Sequence, residues 1–127
     1  MREVVLDTET TGLNFETGDR IIEVGCVELF NHVASGNNLQ FYCSTDKKIE
    51  EDTIKIHGLT NEFLNKHPTF KDHLKNFFDF IKNETLIIHN AEFDVGFINN
   101  ELKLLSAEPI KNRIIDTMLL ARKKQKL

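Results

Sequence analysis

A chain of 127 residues, 40% hydrophobic and 28% charged, has room for one folded domain with a real core and no composition typical of disorder. Its formal charge is −4, so no bulk positive field draws it to phosphate backbones, and no apolar run approaches the ~18 residues of a membrane span. The charge is uneven: residues 111–127 hold six of the sixteen Lys and Arg but one of the twenty acids, a basic end read as a solvated helix terminus.

Met1-Arg2-Glu3 leads directly into an apolar run without the pattern of a signal peptide, so a soluble cytoplasmic protein is expected. Residues 2–6 read as a buried strand that leaves through the turn-forming Thr10-Thr11-Gly12. Residues 20–31 alternate, with Ile22, Val24, Cys26 and Phe30 on one face and Glu28 interrupting it. Asn31–Asn38 reads as a turn, and 39–44 alternate again through Leu39, Phe41 and Cys43, giving three antiparallel strands in a row. Cys26 and Cys43 match no zinc spacing and are expected to be reduced core thiols.

The period then changes. Glu51–His57 predicts a short helix stopped by Gly58, and Thr60 caps another turn that ends before Pro68. Thr69, with Asp72 three residues on, starts a helix whose apolar stripe is Phe70, Leu74, Phe77, Phe78 and Ile81. Thr85–Ile88 is a fourth strand. Asn90 caps a helix from Ala91 to about Leu105, Arg113–Ile115 is a fifth strand, and Asp116 or Thr117 caps a helix running to Leu127. The order βββ-α-β-α-β-α predicts an α/β fold with a mixed sheet covered by helices.

Asp7 and Glu9 stand two apart at the end of a buried strand and so share a face. Two readings stand for them: acids that tolerate each other by sharing a cation, or solvated turn residues. Asp94 bears on the choice, because it lies in the stripe Ala91, Val95, Ile98, Leu102 and Leu105, where an unpaired acid costs several kcal/mol. The alternative for Asp94 is compensation of the helix dipole, worth only ~0.3–1 kcal/mol. Three acids converging on one pocket suit hard cations such as Mg²⁺ or Mn²⁺.

Asp7-Thr8-Glu9-Thr10-Thr11-Gly12 resembles the first motif of the DEDD exonucleases, in their DnaQ-like branch with a ribonuclease H-like fold. Ile22–Glu28 resembles that family's second strand, Ile56-His57-Gly58-Leu59-Thr60 its nucleotide-pocket loop, and His89–Asp94 its second acidic motif. Ile115-Asp116-Thr117 with Leu119–Arg122 resembles the strand and helix that follow. The resemblance covers essentially the whole chain and implies a ribonuclease H-like five-stranded sheet. It implies Asp7, Glu9 and Asp94 as catalytic metal ligands for two Mg²⁺ or Mn²⁺ ions, and Thr8, Thr10, Leu13, His57 and Phe93 against the terminal nucleotide. Leu13 also reads as a turn residue, His57 as a helix terminator and Phe93 as core. Asn90 and Asp116 read as helix caps before substrate contact or ligand.

The family also places a general-base histidine and a fourth acid, spaced His-x₄-Asp, downstream of the segment that ends at Leu127. His89 and Asp94 have that spacing but belong to the second motif. The expectation is therefore residues 1–127 of an exonuclease domain that is incomplete at its C-terminus, a truncated or split piece with weak metal binding and little activity. Three functions remain open: 3′→5′ hydrolysis of single-stranded DNA ends in proofreading beside a DNA polymerase catalytic subunit, exoribonuclease trimming, or a silent polymerase-bound module. Each excludes a membrane partner, and the first two release nucleoside 5′-monophosphates.

Overall fold

β1 (Arg2–Thr10) forms the middle of a five-stranded sheet in the computed structural model, which describes residues 1–125. On one side it pairs antiparallel with β2 (Ile21–Phe30), which pairs antiparallel with β3 (Val33–Tyr42). On the other it pairs parallel with β4 (Thr85–Ile88), itself parallel to β5 (Ile114–Asp116). The helices are α1 (Glu51–His57), α2 (Asn61–Leu64), α3 (Phe70–Ile81), α4 (Ala91–Leu104) and α5 (Thr117–Gln125). The expected mixed α/β sheet flanked by helices is the fold observed; the end of the last helix expected at Leu127 lies outside the described residues.

The predicted boundaries shift where pairing outlasts hydrophobicity. β1 continues past Leu6 to Thr10 because β2 keeps pairing it, through Asp7↔Gly25, Thr8↔Val24 and Glu9↔Glu23. The turn expected over Asn31–Asn38 is only Asn31-His32, both left-handed at φ 50° and 70°, and β3 starts at Val33. Ile22 does not share the core face of Val24 and Cys26. The register slips beside Glu9/Thr10, so Ile21 joins the main core and Ile22 turns to a second cluster with Ile49 and Leu64. Phe30 is exposed. Glu28 is buried in the apolar row because Arg2 and Ser35 donate to it.

The main core packs Val4, Leu6, Val24, Cys26, Phe41 and Cys43 against Phe70, Phe77 and Ile81 of α3 and Phe97, Ile98 and Leu102 of α4. Each such side chain, fully buried, stabilises by about 1.5–3 kcal/mol. Burial pushes both cysteine thiols up to about 12, in keeping with inert core residues. Gly58 ends α1 in a left-handed conformation at φ 75°, and Thr60 caps α2 by accepting from the Phe63 N–H, both as expected. Thr69 stands at the start of α3, but its side chain makes no capping bond.

Candidate active site

The open end of β1 presents two rows. Thr8 and Thr10 are buried, whereas Glu9 is half-buried and Asp7 exposed. The chain then turns sharply. Thr10 Oγ1 donates to the Gly12 carbonyl at 2.6 Å, and Asp19 accepts from Thr11 Oγ1 at 2.9 Å and from the Asn14 N–H at 3.1 Å. A Cβ on Gly12 would collide with the Asp19 carboxylate, so glycine lets the loop close against that anchor. Leu13 is left at its tip, 86% exposed.

α4 brings up the third acid. Asp94 is 4% exposed on the face that also buries Ala91, Phe97, Ile98 and Leu102, and Thr8 Oγ1 donates to its Oδ1 at 2.6 Å. Burial pushes the Asp94 carboxyl up to about 6; the Thr8 hydrogen bond opposes this, and Asp7, Glu9 and Asp116 add to it. Glu9 is also raised, by burial and Asp7, with His57 opposing and Glu23 adding. Asp7 thus acts on both of the other acids, and Glu9 on Asp94.

A cleft of about 280 Å³ opens beside them, lined by Thr8, Glu9, Thr10, Leu13, His57 and Phe93, together with Asp52, Thr53 and Ile56 of α1. All five residues that the sequence suggests for nucleotide contact meet there. Phe93 is braced by Phe97, with ring centroids 4.8 Å apart. His57 Nδ1 accepts from the Leu59 N–H at 3.0 Å, which places the ring proton on Nε2, a buried atom with no hydrogen-bond partner among the described residues. Asp7 lies outside this cleft, in a smaller depression of about 90 Å³ with Thr8, Glu9, Glu23 and Gly25. Glu23 is an acid that the motif reading passes over. Only the register places it, directly across from Glu9. A larger groove of about 630 Å³ lies along β5 and α5, lined by Ile114, Ile115, Leu119 and Leu120 with Asp116, Arg122 and Lys123, and neither Asp7 nor Glu9 lines it.

Two expected roles change. Asn90 stands at the head of α4 in a left-handed conformation, and its side chain caps nothing. The Asp116 carboxylate, expected to cap α5, accepts from Met118 and Leu119 and also takes the N–H groups of Asn90 and Ala91. Burial raises the Asp116 carboxyl, but these four bonds outweigh it and hold the group below its ordinary value. His67 and Asp72 also stand five apart. His67 packs on Tyr42 and Phe63 and Asp72 is exposed at the start of α3, so the pair adds nothing to the cleft.

No three His, Cys, Asp or Glu side chains close around a common point among the described residues. The chemistry of the donors nevertheless suits a divalent ion. Asp7, Glu9 and Asp94 are hard oxygen donors in one field, and none has a Lys or Arg partner among the described ion pairs. A divalent cation would offset both the burial that chiefly raises Glu9 and Asp94 and the repulsion that adds to it.

A family model described as Exonuclease (RNase_T) matches residues 4–127. The chain is 48% identical over 130 residues to DNA polymerase III subunit epsilon of Buchnera aphidicola subsp. Schizaphis graminum, covering 96% of this chain and 56% of that protein. It is 44% identical over 126 residues to the subunit of the same name in Rickettsia prowazekii, covering 96% and 55%. It thus spans about half the length of the curated relatives it matches. Exonuclease X in complex with 5′ overhanging duplex DNA superposes with TM-score 0.74 at 24% identity, over 95% of this chain and 63% of that one. An exonuclease I complex, ExoI/SSB-Ct, gives 0.87 at 16% identity, over 99% and 30%. These two likenesses concern the fold.

Proposed function

The chain belongs to the RNase_T exonuclease family, and on that premise we propose that it carries the metal-binding half of a 3′→5′ exonuclease that trims single-stranded DNA ends in proofreading. The observation that carries this reading is Asp94. It is an acid raised first by its burial and further by Asp7 and Glu9, and it is bonded to Thr8, which lines a cleft of nucleotide size. The names of the relatives at 44–48% identity favour DNA over RNA and a DNA polymerase catalytic subunit as partner.

In this reading Asp7, Glu9 and Asp94 hold Mg²⁺ or Mn²⁺. A pair of such ions supplies activation of water and charge stabilisation at the leaving oxygen of a phosphodiester. Thr8 orients Asp94 by donating to one of its oxygens. Phe93 offers a face for the terminal base, and Leu13, at the tip of an anchored loop, enters between the last two bases. His57 Nε2–H is a free donor on the cleft wall for a sugar or phosphate oxygen of the nucleotide. A mispaired end frays more readily, so a site that admits only unpaired strands favours errors without reading bases. The family resemblance implies that a fourth acid and a general-base histidine complete such a site, and three acids alone would hold the ions weakly.

The test is digestion of a 5′-labelled single-stranded DNA and its RNA counterpart by the complete domain in Mn²⁺, beside Asp7→Ala. Stepwise shortening of the DNA from its 3′ end, lost in the variant, is expected. Preference for the RNA would move the assignment to exoribonuclease. Cleavage that survives Asp7→Ala would remove the carboxylates from the mechanism.

A further inference from the structure

Asp116 ends β5, and its carboxylate accepts four backbone N–H groups from two helices. Oδ1 accepts from Met118 at 2.9 Å, Leu119 at 3.4 Å and Asn90 at 3.1 Å, and Oδ2 accepts from Ala91 at 2.9 Å. The bonds to Met118 and Leu119 are an ordinary cap of α5, made by the residue that precedes it. The other two reach back 25 and 26 residues to the start of α4. That start has no cap of its own, because Asn90 is left-handed at φ 63° and its side chain makes no capping bond. The sheet brings the two places together through the pairing Ile88↔Asp116, and His89 Nδ1 lies 3.0 Å from Thr117 Oγ1 as a second tie between the same two junctions.

We propose that Asp116 is a positioning residue that registers the first turn of α4 to the sheet, and so sets Asp94 and Phe93 against β1. Asp94 and Phe93 follow Ala91 by three and two residues, within the turn whose leading N–H groups Asp116 holds. A helix advances about 1.5 Å and turns about 100° per residue, so slippage by a fraction of a residue would take Asp94 from Thr8. Had Asn90 capped α4 from its own loop, the helix start would follow that loop. Capped from β5, it follows the sheet that carries Asp7 and Glu9. Both oxygens of Asp116 are engaged by backbone in this arrangement, Oδ1 by three N–H groups and Oδ2 by one, which suits a positioning role.

This inference rests on the proposed function, and its test separates the two. Asp116→Ser keeps a capping oxygen for α5 but offers one acceptor where the carboxylate offers two, so α4 loses its hold. Asp116→Asn is the conservative second variant. Amide exchange is read at Asn90 and Ala91, and Mn²⁺ alone is titrated by paramagnetic broadening of the Glu9 and Asp94 amide resonances. In both variants Ala91 is expected to exchange at least ~10-fold faster, and half-saturating Mn²⁺ to rise ~10-fold, the lower end for residues that orient ligands from outside. Faster exchange with an unchanged Mn²⁺ titration would reduce Asp116 to a helix cap, and unchanged exchange would remove the clamp itself. If Asp7→Ala left the Mn²⁺ titration as it is in the unaltered protein, the functional reading would fall and this inference with it.

Discussion

Replacing Asp94 by Asn should stabilise the metal-free protein while destroying its capacity to hold a divalent ion. The Asp94 carboxyl is raised from 3.8 to about 6 by burial, with Asp7, Glu9 and Asp116 adding to it against the Thr8 hydrogen bond. That rise corresponds to about 3 kcal/mol of preference for the protonated form in the folded state. A raised pKa means that the folded protein holds this proton more tightly than the unfolded chain. Stability from this group is therefore full below about pH 4, drains as pH climbs to about 6, and is gone above it. Asparagine keeps the shape and an oxygen for Thr8 Oγ1 but never ionises, so it escapes the loss. Allowing for relaxation around the buried charge, the gain at pH 7.5 is about 1–3 kcal/mol, shrinking to about 1 kcal/mol or less at pH 4.5. Urea unfolding in EDTA at both pH values reads it directly, as a midpoint raised by about 1 M at pH 7.5. Mn²⁺ should then stabilise the unaltered protein and leave Asp94→Asn where it is. An Asn variant no more stable than its parent at pH 7.5, or a difference independent of pH, would refute the reasoning.

Glu101→Ala should be severely destabilising, by about 3–5 kcal/mol, because it strands Arg20. Glu101 is 1% exposed and takes Arg20 Nε at 2.8 Å, Arg20 Nη2 at 2.7 Å and the Ile21 N–H at 3.1 Å; urea or thermal unfolding checks the loss. Leu13→Ala should change stability by no more than about 0.5 kcal/mol, since the side chain is largely in solvent. It should nevertheless raise half-saturating single-stranded DNA about fivefold, from about 1 kcal/mol of lost apolar contact. Fluorescence titration of a labelled oligonucleotide measures this, and unchanged affinity would make Leu13 a turn residue only.

Local chemistry made much of this fold legible. Gly58 marks a helix end because a left-handed residue is needed there, and the stripe of α3 appears as Phe70, Phe77 and Ile81 because one helix face meets one core. Asp94 stood out because the residues around it on its helix are apolar. What stayed hidden depends on register between distant segments. A two-residue turn at Asn31-His32 lengthens β3 and a slip beside Glu9 turns Ile22 away, and neither leaves a compositional mark. Glu23 gains its place from the residue across the strand, and the second duty of Asp116 joins residues 25 and 26 positions apart. The expected cap at Asn90 fails for the same reason: it has the side chain for one, but its backbone is left-handed and the carboxylate at the end of another strand is already there.

How the chain treats its other inward acids sharpens the case for the site. Glu28 has Arg2, Ser35 and Asn37; Glu101 has Arg20 and a backbone N–H; Asp116 has four N–H groups; Asp19 has Thr11, the Asn14 N–H and Lys47 nearby. Glu3 is the weakest of these, with His32 3.2 Å away and one oxygen lacking a hydrogen bond. Compensation by cations and donors is thus the habit of this protein, as burial requires. Asp94 departs from it. It is nearly fully buried, has one hydroxyl donor, and is surrounded by the further acids Asp7, Glu9 and Asp116, so that its carboxyl rises where those of Glu28 and Asp116 fall. A fold that supplies Arg2 and Arg20 to distant glutamates has basic residues at its disposal. Leaving the buried Asp94 and the half-buried Glu9 beside Asp7, which raises both, at the edge of a nucleotide-sized cleft is a cost to stability that packing alone does not require, and a divalent ion on the same oxygens would remove it.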